Sequence, residues 1–104
     1  MGFFNLLAKD INKGYKEYLE RENALLIDVR NEDEYNAGHI PGSKNIPLLK
    51  ISKLSALADR STPIYTYCLS GTRSSRAQVE LCKMGFHEVY NIGGFGSYKG
   101  SVER

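Results

Sequence analysis

Cys68 stands at the head of a short loop, Leu69-Ser70-Gly71-Thr72-Arg73, that runs on into Ser74-Ser75-Arg76-Ala77. The apolar run before it, Pro63-Ile64-Tyr65-Thr66-Tyr67, has the make-up of a buried strand, and a helical pattern follows the loop. A strand, a tight glycine-containing loop and a helix N-terminus aim several free backbone N–H groups at whatever occupies the loop. A sulfur held there is favoured as an anion by those amides, by the helix dipole and by the nearby Arg73. The chemistry on offer is a thiolate nucleophile in an anion-binding cradle. Gly71 is the residue suited to a positive φ or to a close approach of backbone to a bound anion.

The surrounding sequence supplies elements that could hold such a loop. Ile11, Tyr15, Tyr18 and Leu19 form an amphipathic stripe for a helix ending near Glu22. Residues 24–29 are continuously apolar up to Asp28, as in a strand covered on both faces. Asn31 followed by Glu34 is a capping-box pattern that opens a short helix through about Ala37. Residues 38–43 read as a turn, and Lys44-Asn45-Ile46 as a short strand closed by Pro47. Leu48, Ile51, Leu54 and Leu57 give another helical stripe; after strand 63–67 come a helix from Ser74 to about Met84 and a last strand, Glu88 to Asn91, before Gly93-Gly94. Strands alternating with helices predict a three-layer α/β fold, a central, mostly parallel sheet of about five strands with helices on both faces. Ligands in such sheets bind beyond the carboxyl ends of the strands, where Cys68 stands.

The remaining chemistry-bearing residues read more plainly. Arg76, Glu80 and Lys83 share one helical stripe and belong to a solvated face, with Ser74 and Ser75 as helix caps. Cys82 would lie about 12 Å along the helix from its start, too far for a disulfide that needs Cα atoms within about 7 Å, and its neighbours Val79, Leu81 and Phe86 place it in the core. His39 serves its own turn. The two His and two Cys have no ligand spacing, so no metal and no cofactor is expected, and Gly93-Gly94-Phe95-Gly96 lacks the dinucleotide spacing. The 104 residues read as one domain, 1–104; a net charge of +2 without basic tracts argues against nucleic acid as partner. No apolar run reaches the ~20 residues of a membrane span. The N-terminal residues lack the basic and cleavage features of a secretion signal, and Leu6 stands where a myristoylation motif has Ser or Thr, so the expected location is cytoplasmic.

The segment Leu26-Ile27-Asp28-Val29-Arg30, then Glu34-Tyr35-Asn36-Ala37-Gly38-His39-Ile40-Pro41-Gly42-Ser43-Lys44-Asn45-Ile46-Pro47, resembles the rhodanese-like domain family. The loop Cys-x-x-Gly-x-Arg-Ser at 68–74 is similar to that family's active-site loop, and Gly93-Gly94 to its closing segment, with Tyr98 where many members have Trp. The resemblance covers about residues 12–100. It implies a thiosulfate sulfurtransferase, in which Cys68 takes the outer sulfur of thiosulfate or a related donor as a persulfide. The sulfur then passes to cyanide or to a thiol, of low molecular weight or on a protein. The substrate cradle would be Leu69, Ser70, Gly71, Thr72 and Arg73, with Arg73 either meeting the anion or bracing the loop against a carboxylate, and with Asp28 and Arg30 supporting the site. The alternatives are a cysteine-dependent phosphatase or arsenate reductase of the same fold, and a sulfur-carrier or interaction module with little turnover. The phosphatase-type relatives carry Cys-x5-Arg, wide enough for a tetrahedral oxyanion, whereas Cys68 to Arg73 is Cys-x4-Arg and suits a single sulfur atom.

Overall fold

Side chains alternate across a strand, so parity decides which layer each strand residue serves. In the computed structural model, which describes residues 10–104, the elements are α1 (Ile11–Leu19), β1 (Leu25–Asp28), α2 (Glu32–Ala37), β2 (Lys44–Asn45), a 3₁₀ segment (Leu48–Ala56), β3 (Ile64–Cys68), α3 (Thr72–Lys83), β4 (Val89–Gly94) and a 3₁₀ turn (Phe95–Ser97). The expectations for the N-terminal residues 1–9 lie outside the described part. All strand pairs are parallel, in the order β2-β1-β3-β4. On one face Leu26, Tyr65, Tyr67 and Ile92 pack with Ile11 of α1 and with Ile40. On the other, Ile27, Val29, Ile64, Cys68 and Val89 pack with Ala77 and Leu81 of α3 and with Ile51 and Leu54 of the 3₁₀ segment. These are the three layers expected.

Two details differ from expectation. The described sheet has four strands rather than about five. Residues 38–43 remain a turn region, whose only strand-like contact is an isolated antiparallel bridge from His39 to Glu103. The stripe over Leu48–Ala56 winds as 3₁₀. Its apolar residues recur every three positions, and at three residues per turn Ile51 and Leu54 stack on one buried edge. Burying a side chain such as Leu54 or Leu81 is worth about 1.5–3 kcal/mol each. Among the described residues, no helix is long and apolar enough to cross a membrane.

Candidate active site

Cys68 is the last residue of β3, and parity sends its side chain, like those of Ile64 and Thr66, toward α3. It has no exposed surface. The loop that follows is shorter than expected, because α3 starts at Thr72 rather than Ser74. Gly71, at φ 98°, is its N-cap, a left-handed conformation that glycine adopts without strain. The early start brings the helix amides onto the sulfur: Gly71 N–H donates to Sγ at 3.0 Å and Ser74 N–H at 3.4 Å, with Ser74 Oγ at 3.5 Å. Burial pushes the Cys68 thiol up, and hydrogen bonds from the Ser74 hydroxyl and from the Ser74, Gly71 and Ser70 amides outweigh it, so the thiol lies below its usual range.

The loop is fastened on several sides. The Leu69 carbonyl accepts from Gly96 N–H at 3.1 Å. A side chain at Gly94 could not coexist with that carbonyl, since its Cβ would lie 2.5 Å from the oxygen. The bare Cα of Gly94 therefore lets β4 lie close against the loop. Ser70 and Thr72 are exposed and share a hydroxyl contact of 3.4 Å, and the Leu69 side chain is half exposed. Arg73 braces the loop against a carboxylate. Its guanidinium donates to both oxygens of Glu34, at 2.7 and 3.1 Å, and this pair holds the Glu34 carboxyl down to about 2. The same carboxylate caps α2 by accepting from Asn31 N–H at 2.9 Å. The Cys68 thiol is thus lowered by hydrogen bonds to amides and a hydroxyl, and the guanidinium acts on it only as a Coulombic neighbour.

Asp28 and Arg30 form a second clasp beside the loop. Arg30 Nε lies 3.0 Å from both Asp28 oxygens and Nη2 lies 2.7 Å from Oδ2, with further bonds from Arg30 N–H to Asp28 and from Nη2 to the Gly38 carbonyl. The guanidinium also lies over the Phe95 ring, 4.4 Å from its centroid. The pair joins the end of β1 to the turn at Gly38 and to the segment after β4, and neither residue contacts Sγ.

Two residues of the site carried no catalytic signal in the sequence. Asn91, 3% exposed on β4, accepts from Ser74 Oγ at 2.7 Å and from Gly93 N–H at 3.0 Å, and donates to the Gly71 carbonyl at 3.2 Å. The clue was a polar residue on the same parity as the buried Val89. Glu34 read only as a helix cap, and its partner Arg73 stands 39 positions away.

Other expectations sort clearly. Arg76, Glu80 and Lys83 are exposed, with Lys83 and Glu80 3.8 Å apart. His39 serves its turn, stacked 3.7 Å from the Tyr35 ring with Nδ1 2.8 Å from the Tyr35 carbonyl. Cys82 is exposed, not core, because the buried stripe of α3 runs through Ser74, Ala77 and Leu81 and turns Cys82 and Val79 outward. Tyr98, in the place of the usual Trp, packs edge-on to Tyr15 and stacks on Phe95. Among the described residues, no three His, Cys, Asp or Glu side chains gather where they could hold a metal ion. A cavity of about 1230 Å³ opens over the loop, walled by Leu69 to Thr72, Arg76 and Gly94 among others, and Cys68 lies behind that wall.

The sequence profile of the Rhodanese-like domain matches residues 12–101. The chain belongs to the rhodanese-like domain family. This rhodanese-like chain is 36% identical over 99 residues to the protein YqhL of Bacillus subtilis, covering 94% of this chain and 74% of that one. It is 33% identical over 84 residues to the thiosulfate sulfurtransferase GlpE of Coxiella burnetii, covering 80% and 78%. Among solved structures, a rhodanese with anions from E. coli superposes with a TM-score of 0.73 at 29% identity, over 78% of the rhodanese-like chain described here and 98% of that one.

Proposed function

We propose that this protein is a sulfurtransferase that carries sulfane sulfur as a persulfide on Cys68, with thiosulfate as a donor. The supporting observation is the cradle itself, Gly71 and Ser74 N–H groups 3.0 and 3.4 Å from a thiol held below its usual range. The Cys68 thiolate attacks the outer sulfur of thiosulfate; the donor S–S bond breaks and sulfite leaves with the bonding pair. The new terminal sulfur carries the negative charge, which the loop N–H groups are placed to receive. An acceptor, cyanide or a thiol, then attacks that sulfur and returns the Cys68 thiolate. No redox cofactor is needed, since each nucleophile supplies the electron pair for the new bond and each leaving group departs with the pair of the old one.

The position of Arg73 weighs against the oxyanion-handling alternative. A phosphatase loop turns its arginine to the bound anion, and here Glu34 takes two of the five Arg73 N–H donors and pairs its charge. The test is intact mass after incubation with thiosulfate: a gain of one sulfur, ~32 Da, that disappears in Cys68→Ser, whose hydroxyl cannot form a persulfide. A parent protein that gains no mass, or gains it equally in Cys68→Ser, would refute the proposal.

A further inference from the structure

Ser74 has one hydroxyl proton and three acceptors within reach. Asn91 Oδ1 lies 2.7 Å from its Oγ, the Gly71 carbonyl 3.2 Å and Cys68 Sγ 3.5 Å. The shortest of these is an ordinary O–H···O distance, so beside a neutral thiol the proton rests on Asn91. The orientation of the Asn91 amide follows from its other partners: Oδ1 receives Gly93 N–H and Nδ2 gives to the Gly71 carbonyl. Ser74 and Asn91 are 0% and 3% exposed, so the bond between their side chains lies out of solvent.

We propose that Asn91 is a positioning residue that governs how readily Cys68 ionises, by competing with the sulfur for the Ser74 hydroxyl proton. In the thiol state Ser74 donates to Asn91. When the S–H bond breaks, its proton leaves to solvent base and the electron pair stays on sulfur. Ser74 then keeps its own proton and turns it to the anion. Asn91 Oδ1 retains Gly93 N–H, so neither state strands a buried polar group. The same redirection serves a persulfide anion, and breaking the Ser74–Asn91 bond is the cost set against each.

The charged groups around Cys68 leave room for this control. Arg73 on α3 is held by Glu34 of α2, and Asp28 on β1 by Arg30. On β4 the site faces Asn91, Gly93 and Gly94, and in the 3₁₀ segment the shared cluster presents Ile51 and Leu54; none of these titrates.

The inference rests on Cys68 being the reacting sulfur, but its test needs no sulfur donor. Iodoacetamide alkylation is followed against pH in a Cys82→Ser background, which removes the exposed second thiol, with circular dichroism as the folding control. Asn91→Asp, a stronger acceptor that also repels the anion, raises the alkylation midpoint by about one pH unit or more. Ser74→Ala also raises it, and Ser74→Thr restores it to near the parent value. The double variant shifts by less than the sum, because without the Ser74 proton the competition is gone. If Asn91→Asp does not fold, Asn91→Ala replaces it and lowers the midpoint, an effect absent from the Ser74→Ala background. Additive shifts, a Ser74→Ala variant with the parent midpoint, or an Asn91 effect equal in both backgrounds would overturn the proposal. A midpoint is obtained whether or not the protein transfers sulfur, so its failure and that of the sulfurtransferase proposal are told apart.

Discussion

Asp28–Arg30 and Glu34–Arg73 are both two-pronged arginine–carboxylate clasps with a closest contact of 2.7 Å, and both stand beside the Cys68 loop. They differ in exposure. The first has side chains 5% and 0% exposed, and the second 33% and 30%. Removing one partner of a buried pair leaves a charge with nothing to neutralise it, whereas a surface pair exchanges with water at little cost. The buried clasp therefore holds the fold around the site, and the outer one fixes where the loop lies. One kind of bond does two different jobs, and burial separates them.

The strongest way to break that comparison is Arg30→Ala. It leaves the Asp28 carboxyl enclosed without its partner, and is expected to cost about 3–5 kcal/mol in urea unfolding. Replacing both partners, Asp28→Asn with Arg30→Met, should recover much of that loss; a single variant costing under about 1 kcal/mol would erase the distinction. At the outer clasp, Glu34→Gln or Arg73→Ala should move stability by no more than about 1 kcal/mol. The proposed sulfur transfer should nevertheless fall by about ten- to a hundredfold, as the loop donors drift from the sulfur. Parent-like turnover in those variants would show that the clasp does not place the loop.

A smaller effect concerns acid. Arg73 holds the folded-state Glu34 carboxyl down to about 2, below its unfolded value, and Arg21 does the same for Glu88. A depressed carboxyl adds stability that is fully present above its unfolded pKa and is lost as pH falls through the folded one. The loss thus runs from about pH 4.5 down toward 2, and Glu34→Gln should make stability less dependent on pH across that window. An unchanged slope would count against the pairing. The smallest effect sets the noise floor: Cys82→Ser, at an exposed position, should stay within about 0.5 kcal/mol of the parent.

These contrasts follow the line between what was legible in the chain and what was not. Cys68 and its loop were legible because strand, glycine and helix start are adjacent in sequence. The inward clasp was half legible, since Asp28 ends β1 and Arg30 follows it by two positions. For the outer clasp a bracing role of Arg73 was legible, but nothing local names Glu34, 39 positions away, as its carboxylate. Serines are strong caps and point to a start of α3 at Ser74, yet Gly71 takes that position and frees Ser74 for the sulfur. Cys82 was misplaced because apolar neighbours in sequence lie about 100° apart on a helix and need not share its buried side. The 3₁₀ winding of Leu48–Ala56 was present all along in the period of three, which an α-helical template absorbs without complaint.

The complete burial of Cys68 has a kinetic consequence. A sulfur with no surface reacts only from whatever minority arrangement uncovers it, so every reagent waits on the same opening event. At low concentration, donors and alkylating agents differ by their own reactivity multiplied by the open fraction. At high concentration their rates converge on one ceiling, the rate at which the sulfur is uncovered, and that ceiling is a property of the protein alone.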